Sequence, residues 1–168
     1  MTAPEFSRLF DVRQLEGKSL TLEPTAQERA ALAQRFGLVR IDRLVAVLSL
    51  TRSGLVVEAN GTLEAAIVQS CAVSGEDLAV TIAEPLAFRF VPQAEHNPDE
   101  ELEIAVDDCD DIEFTGTMID PGEAVAQSLA LAIDPFAEGP GAEEARRRAG
   151  ILSEGAAGPF AALAALKK

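Results

Sequence analysis

Residues 41–91 read IDRLVAVLSLTRSGLVVEANGTLEAAIVQSCAVSGEDLAVTIAEPLAFRFV, and this stretch decides the fold class. Its apolar residues alternate with polar ones or run continuously, and the runs break at Ser53-Gly54, Asn60-Gly61, Ser74-Gly75 and Pro85. That pattern predicts several antiparallel strands. Asn60-Gly61 suits a tight hairpin because both residues tolerate positive φ, and Ser74-Gly75-Glu76-Asp77 predicts a second turn. Leu63, Ala65, Ile67 and Cys71 share one parity, broken only by Gln69, so Cys71 is expected to face the core. Leu78, Val80 and Ile82 repeat the alternation, as do Leu86, Phe88 and Phe90 with Arg89 opposed.

On either side of this stretch the period changes. Thr25 can cap the first N–H groups of a helix over about 25–36 while Glu28 reaches back to the cap, and Gly37 can close it in the left-handed conformation. Arg29 and Arg35 are expected to stay in water. Further on, Asp120-Pro121-Gly122-Glu123 starts a second helix in a box-like arrangement. Asp120 is the cap, Pro121 sits where a missing N–H is harmless, and Asp134-Pro135 is the stop. Val125, Leu129, Ala132 and Ile133 would face the sheet. Shorter strands are expected within 6–13 and at 102–106, joined by an exposed connection over 91–101. The fold class is therefore α+β: an antiparallel sheet, open or barrel-like, with two packed helices.

Beyond Phe136 the composition falls to Ala, Gly, Glu, Pro and Arg, which reads as a tail over 137–168 following a domain over 1–136. The tail ends in PFAALAALKK, where Phe160, Leu163 and Leu166 recur every three residues among strong helix formers. Such a helix has the shape of a docking peptide, for a partner or for its own domain.

The 168 residues carry a net charge of −14, which argues against holding phosphate backbones by surface charge. The charge is segregated. Residues 90–145 contain sixteen Asp and Glu and no Lys or Arg, whereas the remainder is close to neutral. The density peaks at Asp107, Asp108, Asp110, Asp111 and Glu113. That run reads in three ways: a solvated loop, a surface for a cationic partner, or a divalent-cation loop that lacks the EF-hand ligand pattern.

Catalytic signatures are sparse. His96, the single histidine, lies between Glu95 and Asn97 in a polar stretch and reads as a surface residue. Cys71 reads as buried, and Cys109 lies among aspartates that disfavour its thiolate, so neither is expected to be a nucleophile. Two cysteines and one histidine cannot form a disulfide framework or a closed single-chain zinc site, and no apolar run is long enough to span a membrane. A cytoplasmic protein without catalytic residues, metal or cofactor is expected.

The order of these features resembles the bacterial YceD family, the large ribosomal RNA subunit accumulation proteins, in the form found in alphaproteobacteria. The resemblance is carried by Gln69-Ser70-Cys71-Ala72-Val73, Phe88-Arg89-Phe90, residues 119–123 (IDPGE), residues 129–136 (LALAIDPF), and Pro159-Phe160-Ala161-Ala162-Leu163 with Leu166-Lys167. It extends over nearly the whole chain. Where many members have a C-x-x-C pair, this chain has Cys71 and Ser74, and it lacks their C-terminal cysteines, so a zinc role does not transfer. The resemblance implies a non-enzymatic role in the synthesis or accumulation of large-subunit ribosomal RNA. In many bacteria the family's gene neighbours that of a small basic zinc-ribbon protein of the large subunit. The partner expected is a basic ribosomal protein or assembly factor docked on Asp107, Asp108, Asp110, Asp111 and Glu113, with RNA reached indirectly. The alternatives are a metal-cation-binding protein or metal-dependent enzyme using 107–113, and an acidic adaptor unrelated to ribosomes.

Overall fold

The computed structural model describes residues 4–15, 17–93 and 111–151. The chain runs through β1 (Phe10–Asp11), β2 (Ser19–Leu22), α1 (Ala26–Phe36), β3 (Arg40–Ser53), β4 (Val56–Ser70), β5 (Asp77–Pro92), β6 (Asp111–Phe114), β7 (Met118–Ile119), α2 (Pro121–Ala132) and α3 (Ala142–Arg148). Five strands form one sheet in the order β2-β3-β4-β5-β6, and β1 pairs with β7 separately. The fold is α+β and mostly antiparallel. The sheet is open: its edges, β2 and β6, have four residues each against fourteen to sixteen in the central strands, so they offer too little length to close a barrel.

Alternation sets which face is buried. Leu44, Ala46, Leu48 and Leu50 of β3, Leu63, Ala65 and Ile67 of β4, and Ile82, Leu86 and Phe90 of β5 enter one core with Leu32 of α1 and Val125 and Leu129 of α2. Phe6, Val12 and Leu15 complete it from the N-terminal segment. Gln69, the residue that breaks the β4 pattern, is also buried. Its Nε2 donates to the Asp134 carbonyl at 2.7 Å, which satisfies a group otherwise costly to bury.

The hairpin between β3 and β4 turns at Gly54-Leu55, not at Asn60-Gly61. Gly54 has φ +64° at the first of the two turn positions, where a side chain would be strained. Gly61 instead lies within β4, opposite Leu48, so close to β3 that an added Cβ would meet the Val47 carbonyl oxygen at 1.8 Å. The glycine is there for close backbone approach. The second turn falls as expected, with Gly75 at φ +73° between β4 and β5.

β6 departs from the antiparallel pattern by running parallel to β5, with Arg89 opposite Asp111 and Pro92 opposite Phe114. A parallel neighbour needs a crossover of a dozen or more residues, and the eighteen between Pro92 and Asp111 supply it. The acids from Glu95 to Asp110 fall in that connection. The strand expected at 102–106 lies outside the described residues, as do His96 and Cys109.

The chain beyond Phe136, read from composition as a tail, contains α3 and returns to the domain. Ala142 is buried, and the Ala72 N–H donates to the Ala137 carbonyl at 3.0 Å. No helix among the described residues is long and apolar enough to cross a membrane.

Candidate functional site

Three short segments meet where β6, β7 and the first turn of α2 adjoin the N-terminal chain. Asp120 caps α2 as expected, its Oδ1 accepting from the Glu123 N–H at 3.1 Å. The same carboxylate accepts from the Arg8 N–H at 2.8 Å and from the Ser7 hydroxyl at 2.5 Å, so the cap also anchors residues 7 and 8. Gly122 permits this contact, since a Cβ there would lie 2.6 Å from the Phe6 carbonyl oxygen. Glu123 does not reach back to the cap. Its carboxylate takes two bonds from Arg35, at 2.8 and 3.0 Å, while Arg35 also reaches Glu5 at 2.9 Å. Arg35 thus ties α1, α2 and the N-terminal segment together rather than standing in water.

Arg8 lies over the Phe6 ring and grips Glu28 through two bonds of 2.7 and 2.8 Å. Glu28 completes the α1 capping box with Thr25, and the Arg8 guanidinium holds its carboxyl down at about 2. Asp11, bound to Arg13, is likewise held at about 2.

The acidic segment can now be resolved residue by residue. Of its sixteen acids, Glu95, Asp99, Glu100, Glu101, Glu103, Asp107, Asp108 and Asp110 lie outside the described residues. Seven of the other eight are engaged. Asp111 pairs with Arg89 at 2.6 Å, Glu123 with Arg35, Glu138 and Glu143 with Arg146, and Glu144 with Arg148 at 3.7 Å. Asp120 caps α2, and Asp134 accepts from the Phe136 N–H at 2.8 Å. Glu113 is the remaining one: exposed on β6, with no ion pair among the described residues. Arg35, Arg89, Arg146 and Arg148 thus pair with five of the eight described acids.

Glu113 stands on the rim of a groove of about 290 Å³. Phe90, Ile112, Phe114, Ile119 and Ala124 are among the apolar residues lining it, and Asp120 and Glu123 lie on its α2 side. Leu9 and Met118, also on its wall, keep 61% and 42% of their surfaces exposed. The groove combines apolar walls with carboxylates, a lining suited to an apolar segment that carries positive charge. A larger hollow of about 510 Å³ between α1 and β3 is flanked by Arg29 and Arg40 and has the opposite charge character.

Cys71 is buried, as its parity predicts, but it is not an inert core thiol. Its Sγ accepts from the Gly139 N–H at 3.3 Å and from the Ser74 N–H at 3.4 Å, and these bonds lower the thiol to about 6. With Gln69 it fastens the segment between α2 and α3 to the end of β4. Composition hid this contact, because Gly139 contributes only its backbone. Among the described residues no three His, Cys, Asp or Glu side chains gather to hold a metal ion. Phe160, Leu163 and Leu166 lie outside the described residues.

The family model described as Large ribosomal RNA subunit accumulation protein YceD matches residues 59–167, more than half of the chain. All the motif segments that carried the resemblance fall within it, whereas β1, β2, α1 and β3 precede it, so the match is shorter than the nearly complete resemblance read from the sequence. No curated protein and no solved structure matches the chain.

Proposed function

The chain belongs to the YceD family of large ribosomal RNA subunit accumulation proteins, and from that premise we propose that it is a cytoplasmic, non-enzymatic factor that binds a basic ribosomal protein or assembly factor through its acidic crossover and β6. The residues proposed to make the contact are Asp107, Asp108, Asp110 and Glu113, and Asp111 joins them only by giving up its pair with Arg89. The observation that carries this reading is Glu113: the described acids after β6 have partners within the fold, whereas Glu113 is exposed beside a groove with apolar walls and follows a stretch of sequence dense in acids. Coulomb attraction to such a surface favours a cationic protein and weakens as salt rises.

Direct binding of RNA is disfavoured by the state of the arginines. Arg40 pairs with Asp42, Arg43 with Glu64, Arg89 with Asp111, and Arg146 and Arg148 with glutamates of their own region. A phosphate backbone would have to displace these partners and approach a protein of charge −14. RNA is reached through the bound protein.

Affinity capture of the tagged full chain at low and high salt, compared with an equally acidic control protein, tests the reading. A large-subunit protein or assembly factor should be enriched at low salt and lost when Asp107, Asp108, Asp110 and Asp111 are changed to Asn. Capture that is unaffected by the substitutions removes the acidic run from the binding surface.

A further inference from the structure

The groove beside β6 is matched in chemistry by another part of the same chain. We infer that it receives the C-terminal segment 159–168, PFAALAALKK, with Phe160, Leu163 and Leu166 against its apolar walls and Lys167 and Lys168 toward its carboxylates. The inference does not rest on the proposed ribosomal role.

Charge selects this groove over the larger hollow. Lys167 and Lys168 are attracted by Glu113, the groove carboxylate with no ion pair among the described residues, whereas Arg29 and Arg40 flank the α1–β3 hollow. Size agrees, because about 290 Å³ falls just below the roughly 300–1,000 Å³ of small-molecule pockets and suits a few bulky side chains. Leu9 and Met118 are large apolar residues left exposed on the wall, and the segment would cover them. Residues 152–159 link the described chain to Phe160 and extend to about 30 Å. Ala161, Ala162, Ala164 and Ala165 favour the helix that would place the three large side chains along one stripe. In this position the segment engages Glu113, so a cationic partner that uses Glu113 has to displace it.

Met118 makes the test direct, since the only other methionine is Met1. The full chain, labelled at its methionine methyl groups, is compared by NMR with a full-length Phe160→Ser, Leu163→Asp variant. The Met118 methyl signal should move by more than its linewidth in the variant, while thermal unfolding stays cooperative. Adding the synthetic peptide PFAALAALKK to the variant should move it back, and Glu113→Lys should weaken that return. A Met118 signal identical in the two proteins overturns the inference. So does a signal that changes on dilution of the wild-type chain, because the occupant would then belong to a second copy.

Discussion

The junction of the N-terminal segment with α1 and α2 and the edge formed by β6 lie side by side and use acidic residues in opposite ways. At the junction every carboxylate has an assignment: Asp120 caps a helix and holds two residues of another segment, Glu28 completes a capping box while gripped by Arg8, and Glu5 and Glu123 share Arg35. At the edge, Asp111 meets Arg89, but Glu113 is left facing solvent at the end of a crossover rich in acids. Net charge alone does not separate acids that build the fold from acids available to a partner. The distribution of arginines does.

The largest effect should follow from removing the shared anchor of the junction. Asp120→Ala takes away the α2 cap and leaves the Ser7 hydroxyl and Arg8 N–H without their acceptor, so urea denaturation should show a loss of about 3 kcal/mol. Asp120→Asn keeps an acceptor and should lose markedly less. Gly122→Ala should cost about 1–3 kcal/mol, because the new Cβ pushes on the Phe6 carbonyl and must displace backbone.

A pH series probes the same junction through Glu28, whose folded carboxyl is lowered from 4.5 to about 2. Because folding depresses its pKa, its contribution is complete above about 4.5 and is lost as pH falls through about 2. Asp11 contributes with the same sign in nearly the same window. Stability measured by denaturation should therefore decline between those values, and Glu28→Gln should flatten part of the decline. The smallest effect belongs to the edge: Glu113→Gln should change stability by less than about 0.5 kcal/mol while weakening capture of a cationic partner. A large stability loss at Glu113 would erase the difference between the two regions.

Much of this arrangement is legible in local sequence. The α1 capping box, the Asp120 cap and the alternation of β4 and β5 depend on neighbours in the chain, and the structure contains all three. What local patterns could not reveal was settled by distant partners. Asn60-Gly61 has the composition of a turn, yet Gly61 is fixed by the backbone of β3, a constraint visible only once the strands pair. Glu123 looked like the return half of a capping box, but Arg35, 88 residues away, claims its carboxylate. The turn to α3 has the composition of a tail and is held by backbone groups meeting Cys71 and Gln69. At the candidate site, the sequence located the acidic run but not the groove, which is assembled from segments as far apart as Leu9 and Gln127.

The proposed role of the acidic crossover and Glu113 is to serve the accumulation of large-subunit ribosomal RNA. The most direct measurement is the ratio of large- to small-subunit ribosomal RNA in cells whose own copy carries Asp107→Asn, Asp108→Asn, Asp110→Asn and Glu113→Gln, with the protein level verified. A fall in that ratio at unchanged protein abundance is the expected result. A ratio equal to that of cells with the unaltered chain would contradict it.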